Sequence, residues 1–497
     1  MRRKSKKSAL VGRGGTFGSN IEERCGTMVK DDMIYQVLLK HDFDLYRGNS
    51  DIAEFMKDHL KNYYENIAAA VKRDNPFLGK MFASMLSEKL EELNYICEEI
   101  PAVLDAFNNG HIMEAYNEGT QLFAFIKPYF LKYHASNGDF TDYYRIRQGD
   151  HRIKEASENK RKKAELFHIK RTSRDRIGAY RYSVAGYPCL YLASDIELAW
   201  FECGMPKQFS YARLTITGDE DDGLMLIDLS RRPIEFLSAV TTWILNARRK
   251  DDHNVMNYYD ILIRYILTYP LAAACSVKVK NRNSKFVEEY IFPQLLMYWI
   301  RESSDIDGVK YKSSLYSTLV QGMGAVNVAL PAKKFRFDGL DERLTKKIAI
   351  SDIGYLDVNS DFKRYQSALQ ELKTFKDELR IYTIESAYAG DYVMEIIDLC
   401  DSIFKTYTAL IEGDYSNSEL IFTHVDRLCD HVDLLYQCKE KKMEECVMKA
   451  FPHQKESIDP TVINYHFEKF YQIAERILNK HAVFHFSFEN LGNVETI

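Results

Sequence analysis

The stretch RYSVAGYPCLYLASDIELAWFE, residues 181–202, contains a turn, a strand and a helix that carries a carboxylate. The Gly-Tyr-Pro step at 186–188 is typical of a turn, and residues 189–193 form a short apolar run of strand-forming types. Ser194-Asp195 offers a helix cap before an apolar segment with helical spacing. The sequence therefore predicts a buried strand that leads directly into a helix.

This local structure brings an aromatic ring and a carboxylate close together in the chain. Tyr191 lies in the predicted strand and Glu202 lies in the predicted helix, so both could face one cleft with Arg181 at its edge. The spacing alone leaves open an ordinary alternative, in which Tyr191 is a core residue and Glu202 lies on a solvent-exposed helix face.

The pattern Arg-x-Ser-x-x-Gly-x-Pro-x-Leu-Tyr-Leu-Ala-Ser at 181–194, with a Glu eleven residues after the Tyr, resembles the RES domain. The likeness covers residues 142–332 and includes four further segments in the order of the family, which are YYRIR at 143–147, YIFPQLL at 290–296, DGVKYKS at 307–313 and NVAL at 327–330. RES domains resemble ADP-ribosyltransferases in fold and include bacterial toxins that destroy NAD. The resemblance therefore implies cleavage of the nicotinamide–ribose bond, with NAD as the substrate and no metal.

The resemblance also implies roles for individual residues at such a site. Glu202 would stabilise the ribosyl cation that forms as nicotinamide leaves. Tyr191 would stack on the nicotinamide or its ribose, and Arg145 would hold the pyrophosphate, because a guanidinium matches phosphate oxygens. Ser313 would hydrogen-bond the ribose or orient Glu202, and Arg181 would assist at the phosphates.

Two alternatives stay open within this assignment. Glu197 is a competing carboxylate five residues before Glu202, and Ser314 is adjacent to Ser313. Trp200 stands two residues before Glu202, where arginine-modifying transferases usually have a second carboxylate. This disfavours a protein arginine as the acceptor, but the sequence does not decide between water, phosphate and a protein. A catalytically silent protein that senses nucleotides is the alternative from a different class.

The chain of 497 residues is too long for one typical domain. Strands interleaved with helices in the middle of the chain predict an α+β fold, flanked by helical domains at both ends. The predicted boundaries are a flexible basic tail at 1–29, a helical domain at 30–135, a RES domain at 136–345 and a C-terminal helical domain at 346–497.

The helical domain at 30–135 matches in position and length the HEPN-like segment that often precedes RES domains. Apolar residues at three-and-four spacing predict one helix from Ile52 and a second over 81–97 that ends before Pro101. The Arg-to-His spacing of HEPN ribonucleases is absent from this domain. The spacing does occur at Arg476 and His481, which we expect to be structural.

Three further segments have a distinct pattern. Residues 211–217 and 224–229 predict a pair of strands joined by an acidic turn. Residues 232–270 predict an inserted helical segment, and residues 286–302 predict a helix in which Pro293 lies near the start. The most apolar region, 261–277, falls short of the ~20 residues that a spanning helix needs.

Charge and cysteine content bear on partners and compartment. The net charge of −5 gives no general reason to expect nucleic acid or membrane, whereas residues 145–181 contain thirteen Lys or Arg against five Asp or Glu. Nine cysteines without a C-x-x-C pair favour reduced thiols in the cytoplasm. A cell could not tolerate unrestrained NAD cleavage, so we expect an antitoxin or inhibitory partner, a homo-oligomer, and a defence role triggered by stress or phage.

Overall fold

The computed structural model describes residues 32–41, 43, 45–136, 142–153, 155, 159–204, 206–218, 222–249, 254–280, 284–313, 326–334 and 337–357, and then 373, 374, 377, 491, 495 and 496. The predicted tail at 1–29 lies outside the described residues. So does almost all of the predicted C-terminal helical domain, including Arg476 and His481.

In the part of the chain that the structure describes, five helices precede the first strand; they are α1 (Met33–Lys40), α2 (Ile52–Val71), α3 (Gly79–Ser87), α4 (Leu90–Asn108) and α5 (Ile112–Ile126). Helix α2 begins at the predicted residue, because the Asp51 carboxylate accepts hydrogen bonds from the first backbone N–H groups of the helix, those of Ala53 and Glu54. Its apolar face is buried at the predicted spacing.

The predicted end of a helix before Pro101 is wrong. Residues 81–97 belong to two helices, and α4 continues through Pro101 for seven further residues. Pro101 itself is buried, and so are Ile100, Val103 and Leu104 around it. Burial of these side chains on both sides of the proline offsets the ~3 kcal/mol cost of a proline inside a helix.

Among the described residues ten strands form one sheet; they are β1 (Lys132–Ala135), β2 (Asp142–Gln148), β3 (Cys189–Ala193), β4 (Gln208–Ile216), β5 (Leu224–Leu229), β6 (Gly308–Lys312), β7 (Val326–Pro331), β8 (Ile348–Ile350), β9 (Gly354–Asp357) and β10 (Glu495–Thr496). Their order is β1-β5-β6-β7-β3-β2-β4-β8-β10, and β9 pairs with β4 beside β8. All described pairs are antiparallel except β5 with β6.

The predicted pairing of the strands at 211–217 and 224–229 is wrong, although both strands exist. Strand β4 pairs with β2, β8 and β9, and β5 lies between β1 and β6. Every residue of β5 except Met225 is buried. A strand that is buried on both faces belongs inside a covered sheet, where parallel pairing is common, rather than in an exposed hairpin.

Six further helices complete the described fold; they are α6 (Asn159–Glu165), α7 (Ile196–Glu202), α8 (Pro233–Arg249), α9 (Val255–Ser276), α10 (Ile291–Glu302) and α11 (Glu342–Lys347). Helices α8 and α9 occupy the predicted inserted segment. Helix α10 begins at Ile291 rather than at the predicted residue 286, and Pro293 lies near its start, at the third position. The mixture of helices and strands confirms the α+β class. No helix in the part of the chain that the structure describes is long and apolar enough to cross a membrane.

The two faces of the sheet have separate cores. One apolar cluster contains Leu192, Leu214 and Val328 on one face, together with Phe167 and Leu344. The other cluster joins the opposite face of the sheet to α8, α9 and α10 and continues without interruption into α1–α5. The helices at 30–135 thus share a core with the sheet, while the domain boundary at 135 stays a prediction.

Candidate active site

The site begins at the predicted turn, strand and helix. Gly186 has a φ of 81°, a left-handed conformation that glycine adopts without strain, and it precedes β3. The Asp195 carboxylate then caps α7 by accepting from the backbone N–H of Leu198 at 2.7 Å. Trp200 is fully buried and its indole N–H donates to the carbonyl of Pro206 at 2.9 Å. These contacts fix α7, whose last residue is Glu202.

Two buried side chains hold the Glu202 carboxylate through one of its oxygens. Oε1 accepts a hydrogen bond from Ser313 Oγ at 2.6 Å and another from Asn327 Nδ2 at 2.7 Å. Ser313 and Asn327 are each 3% exposed, whereas Glu202 is exposed. Within the described residues Oε2 makes no hydrogen bond or ion pair. The carboxylate is therefore oriented at one oxygen, and its other oxygen has no partner among the described residues.

Strand register explains why these residues meet. Asn327 on β7 lies opposite Ala193 on β3 and opposite Tyr311 on β6. Ser313 follows the last residue of β6, so its hydroxyl reaches the same end of the strands. Directly paired residues share a face of a sheet, and so do residues two apart along a strand. Tyr191 is two residues before Ala193 on β3. It therefore lies on the same face of the sheet as Asn327.

Tyr191 is part of an aromatic group next to this carboxylate. Its hydroxyl accepts a hydrogen bond from the backbone N–H of Tyr182 at 3.1 Å, and burial raises the pKa of Tyr191 well above its usual range. The ring of Tyr180 lies edge-on to it, with ring centroids 6.2 Å apart, and the rings of Tyr182 and Tyr311 are 4.4 Å apart. The phenol of Tyr191 is thus neutral and its ring is held in place; stacking on nicotinamide stays a prediction.

Arg145 spans a gap between two strands. The described register of β2 and β3 contains one pair, Tyr144 with Ala193, and beyond it Arg145 Nη1 donates to the carbonyl oxygen of Tyr191 at 2.9 Å. Arg145 Nε is buried and has no partner among the described residues. Burial lowers the pKa of Arg145, yet a guanidinium stays charged at neutral pH. A cation whose Nε has no partner among the described residues thus lies next to the backbone carbonyl of Tyr191.

Arg181 makes contacts of a different kind. It is 7% exposed, and its two terminal nitrogens donate to the carbonyl oxygens of Cys275 at 2.8 Å and Val277 at 2.9 Å, at the end of α9. The ring of Tyr290 lies 5.4 Å from its guanidinium carbon. Arg181 therefore ties the predicted site to the end of α9 and to Tyr290, the residue before α10, and its role at ligand phosphates stays a prediction.

Sequence reasoning did not assign a role to Asn327, although it lies in the NVAL segment used for the resemblance. A polar residue in a short, otherwise apolar strand was the available signal, because a buried amide needs hydrogen-bond partners. Ser314 lies outside the described residues, as does the side chain of Glu197. No group of three or more His, Cys, Asp or Glu within the described ranges could hold a metal ion.

The fold is α+β and its candidate site is built around a glutamate that a serine and an asparagine hold. The chain is 26% identical, over 344 residues, to a Bacillus subtilis (strain 168) protein named "Putative toxin YopC". The alignment covers 66% of this chain and 71% of that protein. No protein-family model matches the chain, and no solved structure matches it.

Proposed function

We propose that this chain is a toxin that cleaves the bond between nicotinamide and ribose in NAD. The observation that carries the proposal is the Glu202 carboxylate, which Ser313 and Asn327 fix at Oε1 and which has no partner at Oε2 among the described residues. A carboxylate held in this way can act on a cationic transition state without first reorganising. The toxin part of the proposal is supported by the similarity to the Bacillus subtilis protein with that name.

The chemistry of the substrate suits such a site. Nicotinamide leaves NAD as a neutral molecule, so the reaction needs little acid catalysis and the main cost is the ribosyl cation. In the proposal the open oxygen of Glu202 faces the ribose and stabilises the positive charge that develops there. Tyr191 stacks on the departing ring and Arg145 binds the diphosphate, which fixes the substrate against the carboxylate.

Water or inorganic phosphate is the proposed acceptor of the ADP-ribosyl group. Support comes from Trp200, which is fully buried and hydrogen-bonded to the carbonyl of Pro206 two residues before Glu202. Arginine-modifying transferases usually have a carboxylate at that position, and here a core residue occupies it. Transfer to a protein and a silent nucleotide-sensing role are therefore the alternatives that the experiment must separate.

The test is incubation of the purified full chain with NAD, with and without inorganic phosphate, and identification of the products by mass spectrometry. We expect release of nicotinamide together with ADP-ribose or its phosphorylated form. Glu98→Gln is a matched control, because Glu98 also accepts from an asparagine amide, at 2.9 Å from Asn94, but on the exposed surface of α4. Loss of activity in Glu202→Gln but not in Glu98→Gln supports the proposal, and absence of nicotinamide release by the wild type refutes it.

A further inference from the structure

A buried ion pair joins the segment between α1 and α2 to the segment between α9 and α10. Arg47 Nε donates to Glu289 Oε1 at 2.7 Å, and the two side chains are 8% and 2% exposed. The backbone N–H of Lys280 donates to the same carboxylate oxygen at 3.1 Å. The backbone N–H of Lys278 donates to the carbonyl of Leu45 at 2.8 Å. One ion pair and one backbone hydrogen bond thus hold the two connecting segments together.

Arg181 contacts the same segment next to the points that Arg47 and its neighbours hold. It donates to the carbonyl of Val277, the residue before Lys278, and its guanidinium lies over the ring of Tyr290, the residue after Glu289. A residue whose neighbour in the chain is fixed by a buried contact has little freedom to move. The Arg47–Glu289 pair therefore helps to fix the groups that Arg181 contacts.

The contacts continue from Tyr182, the next residue in the chain, to the Glu202 carboxylate. Tyr182 is fully buried and its ring centroid lies 4.4 Å from that of Tyr311. Tyr311 pairs with Asn327 across β6 and β7, and Asn327 donates to Glu202. Burial, and after it the negative charge of Glu202, raises the pKa of Tyr311 well above its usual range, so the phenol lies near the carboxylate. A shift of Tyr182 would therefore be felt at Glu202 through one ring and one strand pair.

The burial of the Arg47–Glu289 pair makes it sensitive to substitution. When one partner of a buried ion pair is removed, the other charge is left without compensation and the surrounding chain moves to bring it towards water. Glu289 cannot move without Tyr290, its neighbour in the chain. Loss of Arg47 would thus loosen the support of Arg181 and of the residue that follows it.

We infer that Arg47 is a positioning residue for the Glu202 carboxylate and acts through Glu289, Arg181 and Tyr182. The N-terminal helices then take part in setting the geometry of the site, although none of their residues contacts Glu202 in the described contacts. The catalytic consequence of this link rests on the proposed function, whereas the link between Arg47 and Tyr182 does not.

The experiment is hydrogen–deuterium exchange of the full chain, measured by mass spectrometry on the peptide that contains Tyr182. In the wild type the backbone N–H of Tyr182 donates to the Tyr191 hydroxyl at 3.1 Å. We expect Arg47→Gln to speed exchange in this peptide by about tenfold, because the local structure opens more often, while the amides of β4 exchange as in the wild type. Arg47→Lys keeps the charge and should restore most of the protection.

Lys127→Gln is the matched control. Lys127 follows α5 and pairs with Asp305, beyond the end of α10, at 2.8 Å, so this pair also joins the N-terminal helices to the segments around α10. It lies outside the proposed series of contacts, and its loss should leave exchange at Tyr182 unchanged. An equal effect of Lys127→Gln and Arg47→Gln at Tyr182 would overturn the inference.

Unchanged exchange at Tyr182 in Arg47→Gln would also overturn the inference, as would an equal increase in β4, which would show a general loss of stability. Should Arg47→Gln not fold, Glu289→Gln carries the test, since it removes the charge and keeps an oxygen for the N–H of Lys280. Faster exchange confined to the Tyr182 peptide is again the expected result, and an unchanged rate would refute the link.

NAD kinetics on the same samples separate this inference from the proposed function. We expect Arg47→Gln to lower kcat by about tenfold with little change in KM, because the orientation of Glu202 is disturbed and the binding of the diphosphate is not. An unchanged kcat, with faster exchange at Tyr182, would refute the effect on Glu202. Faster exchange at Tyr182, with no release of nicotinamide by the wild type, refutes the proposed function and leaves the link from Arg47 to Tyr182 standing.

Discussion

Two neutral hydrogen-bond donors, rather than a charged partner, position the Glu202 carboxylate. Ser313 and Asn327 both donate to Oε1, and their own burial means that neither can easily move away. Each donor alone would let the carboxylate rotate about the other bond. Two donors on one oxygen fix the plane of the group and the direction in which Oε2 points. Ser313 and Asn327 therefore serve to orient the Glu202 carboxylate more than to increase the affinity for a substrate.

Removing the amide of Asn327 should reduce turnover more than binding. We expect Asn327→Leu, which is close in volume, to lower kcat by about tenfold with little change in KM, because the open oxygen of Glu202 loses part of its alignment with the transition state. Asn327→Asp should be worse than Asn327→Leu, since it brings a second negative charge against Glu202. Steady-state NAD kinetics on both variants are the measurement. A rise in KM with unchanged kcat would contradict this role.

Glu202→Gln separates charge from shape. The glutamine side-chain oxygen can still accept from Ser313 and Asn327, so the fold and NAD affinity should change little. Loss of the negative charge should lower kcat by about 10²-fold, as is typical when one electrostatic stabiliser is removed. Single-turnover release of nicotinamide measures the effect. Near-normal release would move the catalytic role to another carboxylate, with Glu197 as the first candidate.

Arg145→Ala should have the opposite kinetic effect. The diphosphate is bound equally before and during bond cleavage, so loss of its cation should raise KM more than it lowers kcat. Arg161→Ala, from the exposed face of α6, is the control and should leave both constants unchanged. Arg145 also donates to the carbonyl of Tyr191, so the melting temperature of each variant must accompany the kinetics. A pure fall in kcat would contradict a phosphate-binding role.

At the scale of elements, the contact between α2 and α9 contains titratable groups. His59 lies against Tyr269, with its Nε2 2.9 Å from the hydroxyl oxygen, and the rings of His41 and Tyr63 lie close by. Burial lowers the pKa of His59 from 6.5 to about 4 and also lowers the pKa of His41. Both imidazoles are neutral in the folded chain at pH 7, as their apolar surroundings require.

This contact predicts a loss of stability in mild acid. Below pH 6.5 the unfolded chain takes up a proton at His59 that the folded chain does not take up until about pH 4. The free energy of unfolding should therefore fall as the pH is lowered from 6.5 to 4. His59→Gln keeps a partner for the Tyr269 hydroxyl and removes the titration, so its curve should be flatter. Urea unfolding at pH 7, 6 and 5 measures both slopes, and parallel curves would refute the prediction.

At the scale of the whole molecule, the N-terminal helices and the sheet depend on one core. Tyr63 of α2 donates its hydroxyl proton to the carbonyl of Ile266 in α9 at 3.0 Å, and Arg47 pairs with the buried Glu289 at 2.7 Å. These contacts join the segment before the sheet to the helices that cover it. The predicted domain boundaries describe the order of the chain, while the apolar cluster crosses the predicted boundary between residues 135 and 136.

A fragment that begins at residue 136 should therefore fold poorly. It would expose the apolar faces of α9 and α10 that α1–α5 cover, and exposed apolar patches of that size favour aggregation. We expect a weak near-UV circular dichroism spectrum and self-association in gel filtration, compared with a fragment that begins at residue 32 and has the same end. A monomeric fragment from 136 with native-like near-UV signals would show that the sheet is independent.

The sequence alone determined the local structure of the central stretch. Turn, strand, cap and helix over 186–202 depend on nearest neighbours and on the period of apolar residues, and each lies where the pattern predicted it. The α+β class and most strands follow from the same short-range rules. Assignment of this chain to the RES domain and its NAD chemistry stay predictions.

Only the tertiary structure decided which strands are neighbours and which side chains meet. The partners of β4 and β5 are distant in sequence, and so are Asn327 and Ser313 in relation to Glu202. Pro101 is tolerated because of burial from both sides, which a local rule does not register. The period of apolar residues and secondary-structure propensity act over a few neighbouring residues. Strand pairing, side-chain burial and hydrogen-bond geometry depend on parts of the chain that meet only after folding.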